Sequence, residues 1–135
     1  MSKVIIFTDG GARGNPGPAA LGTYIEVDGK EAARIGKYLG EKTNNFAEYS
    51  AIIAGLEWVL EHKEDIEEVK FYMDSLLAFS QITGLFKVKN ADIRHFIFKI
   101  RQLEQEIAKP IYYNHVKREK NTKADAIVNE TLDRI

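Results

Sequence analysis

The sequence contains no cysteine, so neither a disulfide nor a thiolate zinc site can hold the fold together. That absence fits a reducing, cytoplasmic setting. Long apolar runs are missing as well. The N-terminal stretch MSKVIIFTDGG carries one lysine, and its apolar part ends at Asp9, too short for a signal peptide or a membrane span. Repeats, low-complexity tracts and linker-like stretches are also absent, so residues 1–135 read as a single compact domain. Nor is there a dominant charge: the net value is −1 and the pI is near 6.3, which argues against a general nucleic-acid sponge.

The charge that is present is unevenly placed. From Glu57 to Glu68 six acids stand with one lysine, and from Lys109 to Lys123 five bases stand with one acid. The acidic run reads as a solvated face. The basic run lies beside Asp125, where it can meet phosphate.

Hydrophobic patterning predicts five strands and four helices. The β-branched run Val4–Phe7 reads as a buried strand that stops at Thr8-Asp9, before a wide turn rich in glycine and proline. Ala19–Val27 and Ala32–Leu39 form a hairpin around Asp28-Gly29. Thr43-Asn44-Asn45 caps a long helix ending near His62. A strand over Val69–Met73 and a short helix over Leu76–Ile82 follow, the latter closed by Gly84. A helix over Ala91–Ala108 is closed by Pro110, a last strand spans Ile111–Val116, and Thr122 opens a final helix. This order specifies an α/β fold with a mixed sheet: three antiparallel strands, then parallel ones, and helices on both faces. Trp58, Phe71, Phe79, Phe96 and Phe98 fall at packing positions and read as core.

The informative residues are acids at the ends of elements. Asp9 and Asp74 each follow an apolar strand, at the sheet edge where α/β proteins bind ligands. Glu48 lies in the first turns of the long helix and heads a stripe of Ile52, Leu56 and Val59. Asp125 lies three residues after Thr122, in the first turn of the last helix. Taken singly, Asp9 and Asp74 are turn formers, and Glu48 and Asp125 complement a helix dipole. Taken together, four carboxylates at converging ends repel one another unless cations neutralise them. Hard oxygen ligands select Mg²⁺, with Mn²⁺ as a substitute, over zinc. Two such ions about 4 Å apart support phosphodiester hydrolysis.

Four segments, FTDGGARGNPGPAA, TNNFAEYSAIIAGL, FYMDS and HVKREKNTKADAIVN, resemble in order the signatures of type 1 ribonuclease H. The resemblance runs from about Lys3 to Leu132. It implies a ribonuclease H-like five-stranded sheet and an endonuclease that cuts the RNA strand of an RNA–DNA hybrid, leaving 5′-phosphates. By this analogy Asp9 bridges two metal ions, Asp125 holds the one that activates water, and Glu48 with Asp74 holds the other. Glu48 also contacts a ribose 2′-hydroxyl, the group that marks RNA. Gly11, Ala12, Arg13, Gly14, Asn15 and Asn44 complete the RNA-reading surface, and Thr43 with Asn90 grips a phosphate of the DNA strand. No nucleotide-binding glycine motif competes with this assignment.

Three departures from the family pattern stand out. Glu41 occupies a position two before Thr43 that is often arginine, with Lys42 beside it. The basic helix-and-loop handle of some members is missing between Gly84 and Lys87. The interval from His115 to Asn121 is too short for a flexible histidine loop; His115 reads as a strand residue and Arg118 as the substitute charge. Rival readings are a nuclease that also cuts double-stranded RNA, a non-catalytic hybrid-binding module, and a fragment working within a larger partner. The expected state is a cytoplasmic monomer with no membrane association and no obligatory protein partner.

Overall fold

The computed structural model describes residues 1–135 as β1 (Ser2–Ala12), β2 (Gly17–Val27), β3 (Lys30–Lys42), α1 (Asn44–His62), β4 (Ile66–Met73), α2 (Leu76–Ile82), α3 (Ala91–Ile107), β5 (Ile111–His115) and α4 (Thr122–Asp133). One sheet forms, in the order β3-β2-β1-β4-β5. The first three strands pair antiparallel, and β4 runs parallel to both β1 and β5. This is the expected mixed sheet. At the β2–β3 hairpin, Asp28 and Gly29 take φ of 50° and 82°, the handedness that matches strand twist.

Four strands run longer than their apolar cores predict, β1 and β3 by the most. β1 continues past Asp9 through the segment expected to turn, because Gly10, Gly11 and Ala12 stay paired with Leu21, Ala20 and Ala19. β3 likewise extends to Lys42, paired with Gly17. The parallel ladder between β1 and β4, however, stops at Thr8–Met73. Asp9 is thus the first residue of β1 beyond β4, and its carboxylate is free of that ladder.

Helices cover both faces. On one, Ile6, Val69 and Phe71 of the sheet pack with Ile52, Leu56 and Val59 of α1 and with Ile100, Leu103 and Ile107 of α3. Each such side chain contributes about 1.5–3 kcal/mol when fully buried. On the other face Ala20 meets Val128 and Leu132 of α4. Phe71 is fully buried, and Trp58, Phe79 and Phe96 pack against the main core. Phe98 does not: it is 69% exposed, since it lies off the stripe Ile93, Ile100, Leu103, Ile107 that α3 buries. No helix is long and apolar enough to cross a membrane.

Candidate active site

Parallel pairing makes β1 and β4 end in the same direction, which sets Asp9 beside Asp74. Glu48 arrives from α1, whose first turn is capped by Thr43 Oγ1 accepting from the Phe46 backbone N–H at 3.1 Å. The helix comes so close because residue 10 is glycine: a Cβ there would occupy the space of the Ala47–Glu48 backbone. Gly22 does the same for α4, where a Cβ would run into the Ala124 carbonyl, next to Asp125. As a result Asp9, Glu48 and Asp74 each place a carboxylate oxygen within 4.8 Å of the others. Asp125 lines the same cleft, which encloses about 390 Å³.

The acids stand in an unfavourable field. Burial, then the charges of Asp74 and Asp125, push the Asp9 carboxyl up to about 7. Glu48 is raised well above the usual carboxylate range by burial first, then by Asp9 and Asp74. None of the four takes part in an ion pair with lysine or arginine. Glu48 Oε2 is buried without a hydrogen-bond partner. Crowded hard oxygens, unneutralised by the protein and with one oxygen left unpaired, form a donor set that fits a divalent cation such as Mg²⁺ or Mn²⁺.

Most of the expected substrate-facing residues join this cleft. Gly11, Ala12, Arg13, Asn44 and Arg118 line it with the four acids. Its β1 wall is knitted to α1: the Ala12 N–H donates to Asn44 Oδ1 at 2.8 Å, and the Asn44 N–H donates to Asn15 Oδ1 at 2.9 Å. Arg13 is tethered to Asp133 at the end of α4, at 2.6 Å. Gly14 (φ 97°) and Asn15 sit in the β1–β2 turn behind the wall and do not line the cleft themselves. Thr43 and Asn90 also stand outside it. Both serve as helix caps, Asn90 Oδ1 accepting from the N–H groups of Asp92 and Ile93. Lys42 lies 4.7 Å over the Phe46 ring, while Glu41 pairs with Pro18 across β2–β3. His115 ends β5, its Nε2 3.3 Å from the Asp74 carbonyl, as a strand residue should.

Three residues of the site escaped the sequence reading. Gly10 gives no signal, because its role depends on a helix packed over it. Asn129 Nδ2 contacts the Asp125 carbonyl and Oδ2 at 3.1 and 3.3 Å, a pairing its i+4 spacing could have shown. Asn121, which the sequence offers only as a letter of the last signature segment, donates toward β1 and Asp74.

Comparison with known proteins agrees with this geometry. Residues 7–131 match the family described as reverse transcriptase-like. The RNase H1 structure from the archaeon Halobacterium salinarum superposes with a TM-score of 0.91 at 36% identity, covering 98% of this chain and 99% of that one. LC11-RNase H1, solved in complex with an RNA/DNA hybrid, gives 0.89 at 40% identity over 97% of each chain. Ribonuclease H of Erythrobacter litoralis is 32% identical over 98% of both proteins. Mycobacterial relatives are 37% identical, but the chain spans only 36% of their length. On these full-domain matches, and on a sheet and acidic cluster of the expected form, the chain belongs to the type 1 ribonuclease H family.

Proposed function

We propose that this protein is an endonuclease that hydrolyses the RNA strand of RNA–DNA hybrids with divalent metal ions. The observation that carries the reading is the unneutralised cluster of Asp9, Glu48 and Asp74, with Asp125 in the same cleft, beside a wall of backbone and amide groups. Asp9, Glu48 and Asp74 would hold one ion, and Asp9 with Asp125 a second, Mg²⁺ being the expected species and Mn²⁺ a substitute. Bound there, such ions polarise a phosphodiester and lower the pKa of an attacking water. The hybrid-bound structure of LC11-RNase H1 supports the choice of substrate.

The chain's own residues supply recognition. Gly11 and Ala12 present backbone close to a ribose, and the Asn15–Asn44 pair fixes that wall. Glu48 lines the cleft, and its carboxylate is the acceptor we assign to a ribose 2′-hydroxyl. Thr43 and Asn90 spend only oxygens on their caps, so the Thr43 O–H and the Asn90 amide N–H remain as donors to a DNA-strand phosphate. Arg13 and Arg118 bring positive charge to the cleft, Arg118 in place of the loop histidine. We place the protein in the cytoplasm as a monomer.

The test is cleavage of an end-labelled hybrid in Mg²⁺, Mn²⁺ or EDTA, beside Asp9→Asn and Arg118→Ala, with RNA duplex, DNA duplex and single strands as competing substrates. Cleavage confined to the hybrid, leaving 5′-phosphates and lost in EDTA and in Asp9→Asn, is expected. Arg118→Ala should lower turnover; unchanged kcat and KM would remove it from the site. Cleavage that persists in EDTA would falsify the metal-dependent mechanism, and hybrid binding without cleavage in either metal would make the protein a binding module.

A further inference from the structure

Asn121 occupies the N-cap position of α4, where asparagine ordinarily accepts a hydrogen bond from the first turn of its own helix. Here its side chain makes no such bond. The amide is turned the other way: Nδ2 donates to the Thr8 carbonyl at 2.9 Å and to Asp74 Oδ2 at 3.3 Å. The residue is fully buried, and its Oδ1 has no partner. A buried carbonyl oxygen without a partner is a cost to the fold, and capping does not explain an amide in this place.

Its backbone links the remaining pieces. The Asn121 N–H donates to the Arg118 carbonyl at 2.9 Å, and its own carbonyl accepts from the Asp125 N–H at 3.2 Å. Thr8 directly precedes Asp9. One residue is therefore bonded to the neighbour of the first acid, to the third acid itself, to the backbone of the fourth, and to the turn bearing Arg118. These groups come from β1, from the end of β4 and from the start of α4, which share no continuous stretch of chain.

We propose that Asn121 is a positioning residue for the acidic centre: its buried amide, holding Asp74 and the end of β1 against the start of α4, sets the spacing between Asp125 and the other acids. This rests on the metal-dependent reading above. By donating to one oxygen of Asp74, the amide also orients that carboxylate and leaves its other oxygen for the cleft. Groups that orient metal-binding carboxylates from behind are worth about 10- to 100-fold in metal affinity or activity.

The first test uses wild-type protein. The Asn121 side-chain amide resonances are followed by NMR during titration with Mg²⁺ without substrate, together with the backbone amides of Gly10 and Glu48. Movement of the Asn121 amide in step with Gly10 and Glu48 is expected, because its acceptor is then shared with the ion. Shifts at Gly10 and Glu48 with a silent Asn121 amide overturn the proposal. No shift at any of them overturns the metal reading itself, and the proposal with it.

The second test compares Asn121→Leu, which removes the donor without adding charge, with Asn121→Gln, which keeps an amide on a longer arm. For Asn121→Leu, Mn²⁺ affinity by calorimetry and kcat on the hybrid should fall about 10- to 100-fold. KM should stay within about twofold, since the wall of Gly11, Ala12 and Asn44 is untouched. Asn121→Gln should recover part of the loss. If Asn121→Leu lowers Tm while Mn²⁺ affinity and kcat per folded molecule stay at wild-type values, the residue is a fold lock only. If it fails to fold, the amide titration decides alone.

Discussion

At Asp9 the fold withholds solvent and adds two neighbouring negative charges, so the carboxyl keeps its proton up to about pH 7 rather than the ordinary 3.8. Between those values the folded protein retains a proton that the unfolded chain has already released. Stability without metal therefore falls as pH rises from about 4 to about 7, and this contribution is flat above. Glu48 shifts in the same direction and adds to the loss. At about 1.4 kcal/mol per pH unit the Asp9 shift alone is worth on the order of a few kcal/mol. A divalent ion competes with those protons, so Mg²⁺ or Mn²⁺ should raise Tm at pH 8 and do little at pH 5. Asn at position 9 removes both the cost and the ligand. Metal-free Asp9→Asn should melt higher than wild type at pH 8 and lose most of the metal-induced rise. Melting curves across pH, with and without metal, check this; equal pH dependence in both proteins would remove Asp9 as its source.

Elements meet the acids through glycine. At position 10 a methyl group would collide with α1 backbone, which cannot rotate away as a side chain can, so the helix and Glu48 must move. At the neighbouring Gly11 an added methyl finds only Val128 Cγ1, at an ordinary 3.6 Å. Gly10→Ala should therefore cost roughly 1–3 kcal/mol of stability and about 100-fold in kcat, the effect of displacing a reacting group by about 1 Å. Gly11→Ala should keep both fold and Mn²⁺ affinity. Gly10→Ala with wild-type Tm and kcat would show that α1 is not pinned there. This also marks where sequence stops being informative. The acids were legible because strand ends and helix starts follow from local periodicity, and so were the hairpin at Asp28-Gly29 and the cap at Thr43. The role of Gly10 depends on a helix more than thirty positions onward in the chain. The reach of Asn121 to Thr8 depends on elements at opposite ends of it. The paired glycines of β1 read as a turn because conformational freedom at glycine says nothing about the partner strand that removes it. Phe98 looked like core because aromatics usually are; its helix buries another face.

For the whole molecule, the proposed hybrid-cutting activity meets a particular balance of charge. Net charge is −1, and two arginines, Arg13 and Arg118, line a cleft that also contains four acids. Residues 83–90 connect α2 to α3 with no helix of their own, and Lys87 and Lys89 are their only cations. On the reading that this connector stands where some members of the family carry a basic handle, we expect only a few phosphate contacts. Each contact makes affinity fall as about the 0.9 power of salt concentration, or roughly 3.5-fold between 50 and 200 mM. With two or three contacts, hybrid affinity should drop roughly 10- to 50-fold over that range. Because the partly buried acids of the cleft are screened less than surface charges, kcat at saturating hybrid should change little. Inserting a lysine-rich helical segment between Gly84 and Lys87 should lower KM and steepen the salt slope by about one for each new phosphate contact, leaving kcat unaltered. Steady-state kinetics across salt, on both proteins, measure the slope and the split between KM and kcat together. A wild-type slope already steeper than about five contacts would mean that a basic surface elsewhere holds the duplex. An insertion that changes kcat instead of KM would mean that the connector acts on the acids rather than on the substrate.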